Sequence, residues 1–314
     1  MIDFFKVKIH NKAQFEQLIE ENKFSYQAVY SSSKDQVIEY PKVYKKDNLE
    51  IKITQNHGYL KGSLHKFYNI IHNYNEQNYN HLLYSDLEEL IPALEEEYFL
   101  RENNNVIQLE VGFNLLTDTD PSEIIRDQIF LHRYEDPDRN KNYGGRGRLK
   151  TFKTSQVELK IYDKGRQSNL VNSILRIELK FLRTRKLNSI NIFQLNDLLK
   201  VDNLDNLFAE LIKEYSKLII IDKNWEKRIN SDDDLSVIKQ AISSHFWRGF
   251  SQKNTWKKKK ARMKKVNSIL SKYNLDSTKE RLLDNIYAQY IGFQERFSEF
   301  QNLEIKYSKP KKRE

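Results

Sequence analysis

Two nearby segments of the chain, Val157–Tyr162 and Leu175–Phe181, alternate strictly between apolar and polar residues. Successive side chains of a β-strand point to opposite faces of a sheet, so each segment is predicted to be a strand with one apolar and one polar face. If the two strands share a sheet, Tyr162, Glu178 and several cations come together on its polar surface. Such a surface suits phosphate chemistry.

Other segments of the chain show the same alternation, and segments with helical spacing separate them. Strands are also predicted at Phe4–Ile9, Leu49–Ile53 and Val106–Phe113, with a hairpin that joins Thr151–Lys153 to the strand of Tyr162. The pattern predicts an α+β fold, in which an antiparallel five-stranded sheet has helices packed on one face. The helices are predicted at Lys12–Asn22, Ser85–Glu97 (with a capping box from Ser85 to Glu88) and Asp120–Phe130, and Asp136–Arg148 is predicted to be a loop.

The spacing becomes helical near Phe193 and stays so nearly to the end of the chain. Asp222–Asp234 is polar enough to be a linker. We therefore predict a first domain over residues 1–221, which holds the candidate catalytic residues, and a helical, basic region over residues 222–314 that ends in a flexible tail.

Composition narrows the class of protein. The chain has 314 residues, of which 53 are basic and 44 acidic, for a net charge of +9. This balance favours an anionic partner, with solubility alone as the simpler explanation. The chain contains no cysteine, which excludes disulfides and thiolate metal sites. Charge occurs too early for a signal peptide and no apolar run reaches membrane-spanning length, so we expect a cytoplasmic protein without a membrane partner.

Tyr162 is the first candidate for chemistry. The apolar residues of its strand point away from its hydroxyl, and Lys160 and Lys164 are expected to flank it. Nearby cations favour the phenolate and attract phosphate, although an ordinary strand tyrosine is the alternative. Glu110 and Glu178 each lie on the polar side of a strand, and together they offer the oxygen ligands that Mg²⁺ or Mn²⁺ prefers.

Histidines are concentrated in one short segment, where four of the seven fall between His57 and His81. They could supply metal ligands or phosphate contacts, but the chain has no His-apolar-His triplet. It also lacks the Walker A, GxGxxG, HExxH and GxSxG motifs.

Cations and indole rings are mixed near the C-terminus. Such density suits sequence-independent binding of nucleic-acid phosphates, and a charged helix face with two core tryptophans is the alternative. The segment YGGRGR could clamp a DNA backbone or simply connect a hairpin. The candidate DNA-binding residues are Arg146, Arg148, Arg176, Trp247, Arg248, Trp256, Lys257, Lys258, Lys259 and Lys260.

At these residues the chain resembles rolling-circle replication initiators, both the gene II and gene X replication proteins of filamentous phages and the Rep proteins of staphylococcal-type plasmids. The resemblance covers about residues 1–220, in the order MIDFFKVKI, LEIKITQN with GSLHKFYN, VIQLEVGF, KIYDKGRQ and ILRIELKFLR. KIYDKGRQ resembles the tyrosine motif of the plasmid group. Gln167 and Lys52 stand where plasmid relatives often have Glu, which bears on the metal ligands more than on the nucleophile.

The resemblance implies an HUH-endonuclease-like fold and a metal-dependent nickase that initiates phage or plasmid replication. Tyr162 would cut one DNA strand and stay attached to its 5′ end, while Lys160 and Lys164 hold phosphate oxygens or lower the tyrosine pKa. The implied partners are single-stranded and duplex origin DNA, host helicase and polymerase, and a second copy of the chain. The implied ligands of Mg²⁺ or Mn²⁺, or supports of those ligands, are Glu110, Glu178, His65 and His72.

Three alternatives remain, of which a structural or interaction protein is the most distant. The same chemistry could serve plasmid mobilisation or transposition, as in a relaxase or transposase-type nickase. The missing His-apolar-His triplet instead favours a non-catalytic DNA-binding protein that retained the fold.

Overall fold

The computed structural model describes residues 1–21, 26–31, 36–101, 104–250 and 255–294, with the side chains of 26–31 and 36–39 excepted. The strands are β1 (Ile2–Ile9), β2 (Tyr26–Ser31), β3 (Gln36–Lys46), β4 (Leu49–Ile53), β5 (Gly58–Ser63), β6 (Asn104–Leu116), β7 (Ile129–His132), β8 (Arg139–Asn142), β9 (Arg148–Lys153), β10 (Val157–Asp163), β11 (Ile174–Phe181) and β12 (Leu218–Ile220). The helices are α1 (Lys12–Glu21), α2 (Leu64–Ile71), α3 (Tyr84–Glu97), α4 (Pro121–Glu123), α5 (Lys164–Gln167), α6 (Thr184–Asn188), α7 (Val201–Ser216), α8 (Trp225–Arg228), α9 (Asp232–Ala241), α10 (Ser244–Arg248), α11 (Trp256–Lys272) and α12 (Ser277–Gln294).

The main sheet contains ten of the described strands, all antiparallel, in the order β2-β3-β4-β5-β1-β6-β11-β10-β9-β8. The predicted α+β class, with an antiparallel sheet and a helical C-terminal region, is confirmed, as is the hairpin of β9 with β10. The prediction of five strands is wrong, because some strands lack an apolar stripe that alternation can reveal. Glycines interrupt β5 at Gly58 and Gly62, and β8 is exposed along its whole length.

Local contacts explain the differences at element ends. Helix α3 begins at Tyr84 rather than Ser85, because the Asp86 carboxylate accepts a hydrogen bond from the Leu83 backbone N–H. Asp120 caps a helix as predicted, but the chain passes through a π-helical turn at 124–128 and then enters β7, which pairs with β12. Within the predicted loop over 136–148, residues 139–142 form β8 against β9. The predicted end of the first helix at Asn22 lies outside the described residues.

Helices cover the apolar face of the central strands, as predicted. Helices α6 and α7 contact both β6 and β11, and α12 contacts β6. Burial of apolar surface is the main favourable term in folding, so it fixes which face of these strands is turned inward. The polar side chains are left on the other face. The shared core includes Leu109, Val111, Ile177, Leu179, Leu207, Leu211 and Ile286.

A second core lies between β7, β12 and helices α8 to α11. This second core includes Trp225, Trp247 and Leu275. Helix α12 instead packs in the first core through Ile286 and Phe293. The predicted domain boundary between residues 221 and 222 stays a prediction. Every helix in the described part of the chain is too short or too polar to span a lipid bilayer.

Candidate functional site

Three adjacent strands bring the predicted catalytic residues onto one surface. In the pairing of β10 with β11, Lys160 lies opposite Glu178 and Tyr162 lies opposite Arg176. Strand β6, on the other side of β11, carries Glu110. Directly opposite residues on one face of an antiparallel pair are close enough for their side chains to interact. The phenol and both acids therefore share a surface, and their roles stay predictions.

A continuous set of polar contacts links the tyrosine to both carboxylates. The Tyr162 hydroxyl donates to Glu178 Oε1 at 2.9 Å. Lys160 Nζ lies 2.9 Å from Glu178 Oε2 and 2.7 Å from Glu110 Oε2, so its ammonium bridges the two acids. Lys180 Nζ lies 2.7 Å from Glu110 Oε1, and Arg176 Nε lies 2.6 Å from Glu178 Oε1. Each oxygen of the carboxylate pair is thus in contact with a cationic nitrogen.

Gly112 makes room for this arrangement. It lies on β6 directly opposite Glu178. A Cβ at Gly112 would stand 2.5 Å from the Ile177 carbonyl oxygen and 2.7 Å from Glu178 Cγ, so no larger residue fits without displacing the acid. Sequence reasoning missed this role, although a lone glycine inside an alternating strand is a signal of close approach.

The electrostatics keep the phenol protonated. Burial raises the pKa of Tyr162 well above its usual value, and the charge of Glu178 raises it further. Burial also opposes ionisation of Glu178, but Arg176 and Lys160 together lower the pKa of Glu178, which is therefore a carboxylate. The predicted activation of the tyrosine by flanking lysines is not seen, because the ammonium of Lys160 is paired with both acids.

Asp3 is a buried acid that belongs to the same network and that we did not predict. Its Oδ2 accepts hydrogen bonds from Arg176 and from Asn78 Nδ2, both at 2.8 Å, and Ser63 donates to its other oxygen. Burial disfavours the charge, yet Arg176 and Ser63 hold the pKa of Asp3 at about 2. An irregular pairing of β1 with β6 between Ile2 and Phe5 breaks the alternation, so periodicity could not place this side chain.

Lys164 was predicted to lie on the strand beside the Tyr162 hydroxyl, but it lies after the strand and contacts Asn78 of this network instead. Strand β10 ends at Asp163, and Lys164 begins a short helix that Asp163 caps. The buried Lys164 ammonium donates to Asn78 Oδ1 at 2.6 Å and to Gln167 Oε1 at 3.4 Å. Burial, reinforced by the charge of Arg176, lowers the pKa of Lys164 to about 8. The Lys164 side chain is therefore mostly neutral above about pH 8.

The side chains present do not suit the predicted Mg²⁺ or Mn²⁺ site. His65 Nε2 lies 2.8 Å from Asn80 Oδ1, and burial lowers the pKa of His65 to about 3. His72 Nε2 lies 3.1 Å from Glu89 Oε1 on α3. Within the described ranges, no three His, Asp or Glu side chains form a group that could hold a metal ion. Metal dependence stays a prediction from the resemblance.

A second group of cations lies on the same polar face, on β1, β4 and β5. Lys6 is directly opposite Lys61, and like charges in that position destabilise a sheet. Burial, Lys61 and Lys52 lower the pKa of Lys6, whereas Glu50, which lies 2.9 Å from Lys61, raises it. The Lys6 ammonium lies 4.8 Å from the Tyr59 ring centroid. Glu50 relieves part of the repulsion between the lysines, and a bound anion would relieve more of it. The patch therefore extends the candidate phosphate-binding surface beyond the predicted residues.

The predicted DNA-binding residues divide by exposure. Trp247 is buried and donates its indole N–H to the Ala241 carbonyl, and Arg176 is buried between two acids, so neither side chain can contact DNA in this structure. Trp256 is 62 % exposed at the start of α11, a helix with eight basic residues and no acidic one. The remaining candidates are exposed or half-buried: Arg146, Arg148, Arg248, Lys257, Lys258, Lys259 and Lys260.

Comparisons with known proteins add a distant likeness. No family model and no curated protein matches the chain. Among solved structures, the rolling circle replication initiator protein from Geobacillus stearothermophilus matches with a TM-score of 0.38 and 12 % identity, over 63 % of this chain and 78 % of that chain. Its description names the class of protein that the motifs resemble. A likeness this distant carries no argument about what this chain does.

Proposed function

We propose that the chain is a DNA nicking and joining enzyme of the rolling-circle type, in which Tyr162 becomes linked to the 5′ phosphate of the cut strand. The observation that supports this most is the hydrogen bond of 2.9 Å from the Tyr162 hydroxyl to the Glu178 carboxylate, on a sheet face rich in cations. The motif resemblance of residues 160–167 points to the same tyrosine.

In the proposed step, the Tyr162 oxygen attacks the phosphorus of a phosphodiester. A bond forms between oxygen and phosphorus, and the bond from phosphorus to the 3′ oxygen breaks. The phenolic proton passes to Glu178, which already accepts it in a hydrogen bond, and is then relayed through water to the 3′ oxygen, so that Glu178 is a carboxylate again. Since the phosphotyrosyl ester conserves the energy of the broken bond, the strand can be rejoined without ATP.

Fixed cations would stabilise the charge that develops on the phosphorus oxygens. Lys160 contacts Glu178, so its ammonium lies close to the Tyr162 hydroxyl, which donates a hydrogen bond to the same carboxylate. Preorganised charges in a site shielded from water stabilise a transition state more than mobile ions in solution do. Because the pKa of Tyr162 is raised, the proton should leave as the new bond forms rather than beforehand.

DNA would be held by two surfaces away from the tyrosine. Helix α11 offers exposed cations for a phosphate backbone, and its Trp256 indole can stack on a base. The lysines around Lys6 lie on the same sheet face as Tyr162 and suit the single strand. Host helicase and polymerase and a homodimer remain predictions from the resemblance.

Covalent trapping tests the proposal. Single-stranded oligonucleotides that tile the DNA encoding the chain and its flanks are labelled at the 3′ end and incubated with protein, with and without Mg²⁺. Wild type should acquire label that survives denaturation, and Tyr162→Phe should not. Tyr59→Phe is the matched control, because it removes a hydroxyl from the same sheet face and keeps the ring that Lys6 contacts, so the adduct should be unchanged. An adduct that persists in Tyr162→Phe would assign another nucleophile.

A second candidate is a non-catalytic DNA-binding protein. The protonated, hydrogen-bonded state of Tyr162 favours it, as does α11, in which all eight charged residues are basic. Under this candidate, wild type and Tyr162→Phe would bind DNA equally and neither would form an adduct.

A further inference from the structure

The ammonium of Lys160, which contacts both Glu110 and Glu178, indicates how this polar face is neutralised. We propose that Lys160 is a built-in cation that occupies the place of a divalent metal between these two acids, so that the wild-type chain binds neither Mg²⁺ nor Mn²⁺ there. The inference relies on the proposed function only for the choice of metals, and it is tested by binding rather than by nicking.

The position of the ammonium is the first argument. Lys160 Nζ lies 2.7 Å from Glu110 Oε2 and 2.9 Å from Glu178 Oε2, which is the point that a metal bridging the two acids would take. The other two oxygens contact Lys180 and Arg176. A hard divalent cation needs oxygen ligands at much shorter distances and in a defined geometry. It could bind here only if the ammonium left.

The charge balance is the second argument. Three acids line this part of the network, and they are matched by three cations. A divalent ion would add two positive charges to a group that has no negative charge left to neutralise, in surroundings where screening by water is weak. The acids are Asp3, Glu110 and Glu178, and the cations are Lys160, Lys180 and Arg176.

The sheet register is the third argument, because it fixes the partners. Lys160 is opposite Glu178 across β10 and β11, and Lys180 is opposite Glu110 across β11 and β6. Lys160 and both acids lie on strands, so the ammonium is held between the acids by backbone pairing rather than by a mobile loop.

Binding of Mn²⁺, followed by electron paramagnetic resonance and calorimetry, tests the inference on the full chain. Wild type and Glu110→Gln should bind Mn²⁺ identically, since the pair is closed to metal. Lys160→Met removes the charge and keeps the length of the side chain, so it should gain one Mn²⁺ per chain, at least roughly tenfold tighter than any wild-type site. Lys160→Met with Glu110→Gln should lose that gain.

Two results would overturn the inference. One is Mn²⁺ binding by wild type that Glu110→Gln abolishes. The other is a folded Lys160→Met variant that gains no metal. If that variant does not fold, the comparison of wild type with Glu110→Gln still decides the matter. If the Mn²⁺ binding results are as predicted but the protein does not nick DNA, the proposed function is wrong and this inference stands.

Discussion

Asp3 ties the first strand of the sheet to the strand of Glu178 through Arg176, whose guanidinium lies 2.8 Å from the Asp3 carboxylate. Substitution of Asp3 by Asn keeps the shape of the side chain and removes its charge. Arg176 then loses one of its two acidic partners in a site from which water is excluded. Breaking a buried ion pair costs about 3–5 kcal/mol, and the remaining contact with Glu178 should keep the loss at or below the lower end.

The pKa of Asp3 supplies an independent magnitude. Folding lowers this pKa from 3.8 to about 2, although burial alone would raise it. Each pKa unit corresponds to about 1.4 kcal/mol, so the ionised Asp3 contributes about 2–3 kcal/mol to the free energy of unfolding. Because the pKa is lower in the folded state, this contribution is present above pH 3.8 and is lost as the pH falls through about 2.

Urea unfolding followed by circular dichroism measures the effect at pH 7 and at steps below pH 4. Asp3→Asn should be less stable than wild type by about 2–3 kcal/mol at pH 7, with a gap that narrows in acid. Asp118→Asn is the control, because that side chain is 93 % exposed and its contact with Arg281 should be worth under about 1 kcal/mol. Equal stabilities of wild type and Asp3→Asn at pH 7, or a gap that does not depend on pH, would refute the reasoning.

Three further changes probe the site and the basic helix. Gly112→Ala should lower the free energy of unfolding by about 1–3 kcal/mol and reduce the adduct, whereas Gly145→Ala, whose Cβ would meet nothing within 4 Å, should do neither in the same assays. Trp256→Ala should leave thermal stability unchanged and weaken single-stranded DNA binding by about 1–3 kcal/mol, while Trp247→Ala should destabilise the fold by about 3–5 kcal/mol; the reverse pattern would exchange their roles. Lys257, Lys258 and Lys260 are replaced together by Gln, and duplex binding is measured over a range of salt concentrations. The slope of the logarithm of the binding constant against the logarithm of salt concentration should become shallower by about 2–3, and an unchanged slope would show that α11 does not contact DNA.

The central strands could be predicted from the sequence because each has one face in the core. Strict alternation placed Tyr162, Glu110 and Glu178 on the polar side of their strands, and antiparallel pairing then brought them together. The same logic failed for β5, which glycines interrupt, and for β8, which has no buried face. Alternation also put Lys164 on the face of Tyr162, but the strand ends one residue earlier.

The rest of the site depends on contacts between distant parts of the chain. Asp3 and Asn78 are 75 residues apart, and no local pattern connects them. Likewise, sequence alone could not tell Trp247 from Trp256, because both precede basic residues and only the packing of the second core buries the first. The pairing of Lys160 with two acids depends on three strands at once. The sequence therefore suggested that the charge of Lys160 acts on Tyr162, whereas the structure pairs it with Glu110 and Glu178.

The most direct test of the central claim is to locate the covalent bond. Denatured adduct is digested with trypsin and nuclease, and the peptide that carries the nucleotide is sequenced by mass spectrometry. The account predicts a nucleotide on the tyrosine of the peptide Ile161–Lys164, IYDK, which trypsin releases by cutting after Lys160 and Lys164. A nucleotide on any other peptide, or recovery of that peptide unmodified from a protein that has cut DNA, would contradict it.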